Sequence, residues 1–429
     1  MTSPLQVLRV LGERSFAEVG EPLLAVPEEG RGLLAVAGEP GFAGTTTVAV
    51  YSTRDLGCRA MLRTRFSVNA LAFHPTMPLL AVGTGEYDGG YMFEGELLLL
   101  DWERGITTSL MENEFGRQVL GLTWLDEQAL RVLLAPPDDW RDPKAHLEGH
   151  VAIVRRADWP AVPPRSLTGT DLAGPRVTAP RSDGQVEARR AVLALSPDWE
   201  HRRHVMAVKT LPDGAVLATV GREGGNQEPP ARTALADGLL IANEPTEDSG
   251  RGDLRIRHAT RNYVYEAPHG WRNLKETWLS VRLPSDTGLR RLFPFPWETG
   301  EAHFPGPGAE VGNGDLVYAG TVRNRRGQEP GRAFVVRRGA TDGTLRWVFR
   351  TNRDALDAAT DLVTDTATAY IAYGSGELVA LDLHNGTPRW RHPLTIHGLP
   401  TIPTALTMTK TGRLLVGTAD GRVLECATT

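Results

Sequence analysis

Gly95-Glu-Leu-Leu-Leu-Leu-Asp-Trp-Glu-Arg-Gly105 recurs near the other end of the chain as Gly376-Glu-Leu-Val-Ala-Leu-Asp-Leu-His-Asn-Gly386. Both read G-E-L-x-x-L-D-x-x-x-G. Each follows a small, β-rich run ending in glycine, Leu79-Leu-Ala-Val-Gly-Thr-Gly85 and Ala369-Tyr-Ile-Ala-Tyr-Gly-Ser-Gly376. A strand, a glycine turn, a second strand and an Asp/Gly turn make one meander unit. A unit repeated at opposite ends of a chain implies that the middle is built the same way.

Working outward from the repeat, strand signals come in groups of four. Residues 23–26, 33–37, 45–51 and 59–66 form one group; 68–73, 79–83, 95–101 and 106–111 a second; 119–124, 129–134, 151–156 and a weaker segment near 166–170 a third. In the middle, 205–211 pairs with 215–220 around Pro212-Asp-Gly, and 277–282 with 289–295. Between these pairs, residues 221–275 are either one insertion or the strands of a further blade (238–242, 254–258, 263–266). Order returns at 315–320, 333–338 and 345–350, then at 358–363, 367–372, 377–382 and 388–393. The last group, 405–409, 414–417 and 423–426, has three strands, and 5–11 is an apolar strand without a group. Four-stranded units at a period of roughly 40 to 50 residues mean a propeller. The expectation is an all-β, single propeller over residues 1–429, with seven blades, or eight if 221–275 hides one. The N-terminal strand completes the last blade, which closes the ring and removes its sheet edges.

Composition agrees. Apolar residues make up 41% of 429 residues, enough for a large core, and 46 Gly with 30 Pro suit short strands joined by tight turns. The net charge of −5 has acids and bases interspersed, so the whole surface is not a polyanion-binding one. Two cysteines, Cys58 and Cys426, cannot make a disulfide framework. The first ten residues lack the basic segment and apolar core of a secretory leader. No apolar run approaches the ~20 residues that span a bilayer. The expectation is a soluble, cytoplasmic protein, monomeric alone.

The segment Ala380-Leu-Asp382-Leu-His-Asn385-Gly386-Thr-Pro-Arg-Trp390 resembles the A-x-D-x-x-T-G-x-x-x-W repeat of the quinoprotein-like (PQQ-repeat) propellers, with Asn385 in place of Thr. Asp342-Gly343-Thr-Leu-Arg-Trp347 matches its Gly and Trp at the same spacing, with Gly339 where the Asp belongs. Asn69-Ala-Leu-Ala-Phe-His-Pro75 is similar to the inner-strand phrase of WD-repeat propellers. The resemblance implies that Asp382 and Gly386 set the turn between outer strands and that Trp347 and Trp390 dock one blade on the next, each covering about 150–250 Å². It implies no quinone cofactor, because the metal site and vicinal disulfide of those enzymes are not visible. It favours the role of the cofactor-free relatives, which are scaffolds in assembly machines.

Motifs for catalysis are weak. His146-Leu-Glu-Gly-His150 has its Glu one position late for a zinc-protease helix and reads as a loop. His201 and His204 lack a third ligand. Gly83-Thr-Gly85 with Gly89-Gly90 lacks a βαβ context. Cys58 beside Arg59 reads as a strand-end residue. Position carries more. The loops between second and third strands are long in the early groups (38–44, 85–94, 136–149, the region after 221, 322–332) and short in the last two (373–376, 418–421). The long loops are rich in aromatic and charged residues: Tyr87, Asp88 and Tyr91; Trp140 and Arg141; Arg222; Arg323 and Arg325. Exposed aromatics with Arg have interface composition, so these residues are expected to bind a protein partner, with Tyr87, Trp140 and Arg141 as anchors and Arg323 and Arg325 at an acidic contact. Two rival readings remain. One is a lactonase-type hydrolase or lyase using a metal in the central channel. The other is nucleic-acid binding through the arginine-rich stretch 323–338.

Overall fold

The computed structural model describes residues 5–87, 93–113, 118–135, 148–178, 184–211, 213–220, 232–235, 237–243, 254–255, 263–266, 278–282, 289–294, 301–324, 332–339, 343–351 and 358–428. The strands run in chain order from β1 (Leu5–Leu11) through a first sheet, β2 (Pro22–Glu28), β3 (Leu33–Pro40), β4 (Thr46–Ser52) and β5 (Cys58–Thr64). The second sheet is β6 (Val68–Phe73), β7 (Leu79–Thr84), β10 (Leu97–Asp101) and β11 (Ile106–Ser109), with a small hairpin, β8 (Glu86–Tyr87) and β9 (Phe93–Glu94), between β7 and β10. The third is β12 (Val119–Trp124), β13 (Ala129–Leu134), β14 (Glu148–Arg155) and β15 (Arg176–Thr178), followed by the helix α1 (Gln185–Leu195). The fourth is β16 (Val205–Thr210), β17 (Val216–Val220), β18 (Arg232–Ala234) and β19 (Leu239–Asn243), and the fifth β20 (Leu254–Arg255), β21 (Tyr263–Glu266), β22 (Trp278–Arg282) and β23 (Leu289–Pro294). The sixth is β24 (Glu301–Glu310), β25 (Asp315–Asn324), β26 (Arg332–Gly339) and β27 (Leu345–Arg350). The seventh is β28 (Ala359–Thr364), β29 (Thr368–Tyr373), β30 (Glu377–Asp382) and β31 (Pro388–Pro393). After a hairpin, β32 (Thr395–Ile396) and β33 (Leu399–Pro400), the eighth sheet is β34 (Pro403–Met408), β35 (Leu414–Thr418) and β36 (Val423–Thr428), completed by β1.

Among the described residues the strands thus form eight four-stranded sheets, seven of them antiparallel throughout. The fourth has the order β16-β17-β19-β18, with β17 and β19 parallel. Every residue of β7 and of β29 is buried, which is why these strands read as unbroken apolar runs. The outer β31 alternates instead, with exposed Arg389 and Arg391 flanking Trp390. The repeated phrase gives the same turn twice. Asp101 Oδ1 accepts from the N–H groups of Glu103 and Arg104, and Asp382 Oδ1 from those of His384 and Asn385. The closing glycines, Gly105 and Gly386, both have positive φ, +68° and +75°, where a side chain would be strained.

The chain divides into two compact units, Arg14–Arg202, and Met1–Glu13 with Arg203–Thr429. In the first unit, Leu33, Ala35, Val48 and Val50 of the first sheet pack on Leu71, Phe73, Leu80 and Val82 of the second. The opposite side of the second sheet meets Leu130, Val132 and Leu134 of the third through Leu79, Ala81, Leu97 and Leu99. The remaining face of the first sheet, Leu34, Val36, Ala49 and Tyr51, is covered by Val192 of α1 with Phe16, Val19 and Trp199.

In the second unit, the sixth sheet packs on the seventh and the seventh on the eighth. The other face of the eighth, through Leu11, Leu415 and Val423, packs on Val205, Val208 and Val216 of the fourth. One device marks these joints. Three inner strands, β6, β28 and β34, bulge at their second residue, and that side chain donates to a carbonyl of the neighbouring inner strand. Asn69 Nδ2–H reaches the Val119 oxygen at 3.1 Å, Thr360 Oγ1–H the Pro403 oxygen at 2.6 Å, and Thr404 Oγ1–H the Val205 oxygen at 2.7 Å. Glycine permits the same approach twice: a Cβ on Gly83 would lie 2.4 Å from Val119 Cγ1, and one on Gly417 2.4 Å from Val205 Cγ1.

Several expectations change here. The orphan segment 5–11 does pair with β36, antiparallel from Leu5 opposite Thr428 to Leu11 opposite Val423. The strand expected near 166–170 is absent. Leu167 makes an isolated bridge with Met111, and β15 takes the outer place in the third sheet. The strands within 221–275 are shared between two sheets, β18 and β19 joining the fourth, β20 and β21 the fifth. Neither α1 nor β24 is anticipated by the strand signals.

Candidate interaction surface

Within each unit the second-to-third-strand connections leave their sheets at one end. Two are built out by regular structure. In the second sheet β8 and β9 continue the meander as a hairpin, Glu86 opposite Glu94 and Tyr87 opposite Phe93. In the sixth sheet β25 runs ten residues, paired to Asn324 on the β24 side and to Val322, opposite Arg332, on the β26 side. The corresponding connections of the last two sheets are tight turns. Gly376 closes one with φ +91°, its N–H donating to the Tyr373 carbonyl at 3.0 Å; Gly421 closes the other onto Thr418 at 3.2 Å.

The expected partner-binding residues fall on these connections unevenly. Tyr87 is the last residue of β8, and Arg323 lies on β25 opposite Ala302. Asp88, Tyr91, Trp140, Arg141, Arg222 and Arg325 lie outside the described residues. Tyr87 belongs to the first unit and Arg323 to the second.

The docking residues are described in full. Trp347 is 7% exposed, and its Nε1–H donates to the Leu383 carbonyl of the next sheet at 2.9 Å. Arg389 donates to Asp382 Oδ2 at 2.7 Å. That bond, with the turn N–H groups, holds the Asp382 carboxyl below the usual carboxylate range. Trp390 packs against the core between the seventh and eighth sheets. It is half-buried, 6.0 Å between centroids from Tyr370.

Much of the apparent chemistry is committed to the fold. Of the arginine-rich stretch, Arg337 pairs with the buried Asp315 at 2.9 Å and donates to the Leu383 carbonyl at 2.7 Å, while Arg338 donates to the Gly343 carbonyl. Glu148, Gly149 and His150 lie on β14, not on a helix. His201 Nε2 sits 3.2 Å from Glu39, tying the segment after α1 to the first sheet. Arg422, 3% exposed, pairs with Asp420 at 2.6 Å and Glu13 at 3.5 Å. Burial pushes the Cys426 thiol and the Tyr318 hydroxyl up to about 12. Cys58 Sγ–H donates to the Ala60 carbonyl. Among the described residues no three His, Cys, Asp or Glu side chains converge on a metal position. Nor is any helix there long and apolar enough to cross a membrane.

The docking group of the first unit lies at the Asn69–Pro75 phrase, but its partners Arg31 and Glu127 carry no motif. Arg31 donates to the carbonyls of His74 and Met77 at 2.6 and 2.8 Å. His74 Nδ1 accepts from the Thr76 and Met77 N–H groups, which leaves Nε2–H to donate to the Glu127 carbonyl at 2.9 Å. Burial keeps this imidazole below its ordinary pKa. Trp124 Nε1–H donates to the Ala72 carbonyl. The phrase Asn69–Pro75 is the signal that marked this spot.

No family model and no curated protein matches the chain. Among solved structures it is similar to the β-propeller domain of Cps50 (Swd1) from Myceliophteria thermophila, at 10% identity over 99% of this chain and 100% of that one, TM-score 0.27. It is similar to the WD40 propeller domain of Doa1, at 10% identity over 99% and 97%, TM-score 0.30. It is also similar to BamB from Moraxella catarrhalis, at 13% identity over 93% and 82%, TM-score 0.24.

Proposed function

We propose that the chain is a non-catalytic β-propeller scaffold, cytoplasmic and monomeric alone, that binds a partner protein through the long connections at one end of its sheets. The carrying observation is the unequal building of those connections. Hairpin extensions carry Tyr87 and Arg323, whereas the last two sheets close in tight turns. Loops displayed on a rigid scaffold are where binding residues concentrate. The inner-strand carboxylate Asp361 is 3% exposed and accepts the Leu406 N–H at 2.6 Å, so it serves the joint between sheets and not a channel metal of the lactonase type.

The eighth sheet has both faces occupied within its own unit. This supports a propeller ring closed by the N-terminal strand β1 as the outer strand of the last blade. The interaction is tested by affinity capture with wild type and with Trp140→Ala/Arg141→Ala, both checked for unchanged melting. Truncating aromatic and Arg anchors at interfaces often costs about 2 kcal/mol or more. Loss of the captured partner with the variant is expected. Equal recovery would remove these loops from the interface.

A further inference from the structure

The outermost strands have a charge of one sign. These are β5, β11, β15, β18, β23, β27, β31 and β1. Together they hold eleven arginines and no Asp or Glu, in a chain with more acids than bases. Charged residues on edge strands guard against edge-to-edge aggregation, and long Arg stems cover apolar surface. Edge protection, however, works with either sign, so it does not account for the missing acids.

Four of these strands, β5, β23, β27 and β31, hold two arginines each, and β27 and β31 lie on adjacent sheets. On β27, Leu345, Arg346, Val348 and Arg350 are exposed, Leu345 and Val348 at 48% and 44%. On β31, Arg389 and Arg391 are exposed, and the Arg391 guanidinium lies 5.6 Å from the ring centroid of Phe349 on the neighbouring sheet. Arg346 and Arg389 are partly neutralised by Asp315 and Asp382. Exposed aliphatic groups interleaved with guanidinium groups fit a peptide that is itself both acidic and apolar. They fit nucleic acid less well, because Trp347 and Phe349 of β27 are buried and Trp390 of β31 is packed against Tyr370 and the core of the seventh and eighth sheets.

We infer that the outer edge of the sixth and seventh sheets docks an extended, acidic segment of a partner protein, its carboxylates meeting Arg346, Arg350 and Arg391 and its apolar residues Leu345 and Val348. Among the described residues the edge strand β27 pairs with β26 alone, so its outer backbone groups are placed to take a further strand. The inference stands apart from the loop-borne interface, which uses other residues.

The test is fluorescence anisotropy of a labelled peptide of alternating Glu and Leu with the full chain. Wild type should bind it, and Arg391→Glu should weaken binding roughly tenfold or more, as loss of a charge-paired contact does. Lys410→Glu, the same charge change on an exposed turn, should stay within about twofold. If Arg391→Glu melts early, Arg391→Gln and Arg350→Gln replace it, each expected to weaken binding by roughly threefold or more. Equal weakening by Lys410→Glu, no binding by wild type, or binding of an oligo-dT strand in preference to the peptide would each overturn the inference.

Discussion

Trp347 lies directly over Gly386: a Cβ built on that glycine would sit 2.7 Å from the indole ring. The ring's Nε1–H donates to the Leu383 carbonyl, three residues before the glycine, at 2.9 Å. Trp347 therefore fills a seat that the Asp382–Gly386 turn shapes. Gly386→Ala should be doubly unfavourable, because it adds the clash and strains a residue at φ +75°. A loss of about 2–4 kcal/mol is expected. Trp347→Ala should cost about 3–5 kcal/mol. In the double variant the clash is gone, so the two losses should sum to less than their parts. Denaturant unfolding of the four proteins checks this, and strict additivity would contradict the seat.

Deleting residues 1–12 should bare the whole length of β36, from Val423 to Thr428, and remove the buried Leu5 and Leu11. Burial of two Leu side chains alone is worth about 3–6 kcal/mol, against a total stability of ~5–15. The truncated chain should melt earlier and self-associate through the new edge. A monomer with unchanged melting would show that β1 contributes little.

The sequence carries the strand pattern well and the choice of neighbouring sheets poorly. The G-E-L-x-x-L-D phrase fixes two turns of matching geometry because Asp101 and Asp382 cap them through the same backbone donors. The edge strand β24 was hidden because Pro305-Gly-Pro-Gly308 reads as a turn. In the structure those residues form a register shift opposite β25, and edge strands tolerate proline there. Helix α1 buries only Ala188 and Val192 completely, too narrow an apolar stripe to stand out. That the eighth sheet abuts the fourth is decided by Thr404, Gly417 and Val205, a Thr, a Gly and a Val that no periodicity distinguishes. Of the candidate site, the loop lengths were legible. The arginine edge emerges only once strand order is known.

Alkylation should separate the two cysteines. Burial raises the Cys426 thiol to about 12, so at pH 8 almost none of it is thiolate, and its sulfur is buried as well. Cys58 is partly exposed at the start of β5. Iodoacetamide on the native protein should modify Cys58 alone and reach Cys426 only after unfolding, as read by peptide mass. Modification of Cys426 at a comparable rate in the native state would place it outside the core.

Acid stability offers the last test. The Asp171 carboxyl is held down to about 2, first by the hydrogen bond from Arg156 at 2.9 Å and then by the Thr168 N–H and hydroxyl. An unfolded Asp titrates near 3.9. Because the folded value is the lower one, the contribution is fully present above roughly pH 4–5 and fades as pH falls towards 2. The pair is partly exposed, so salt screens it and the effect is modest. Asp171→Asn should lower the melting temperature at pH 7 while flattening its decline between about pH 4 and pH 2. Melting curves for wild type and variant across that range decide it: a constant gap between the two down to pH 2 would mean that Asp171 acts by packing and not by charge.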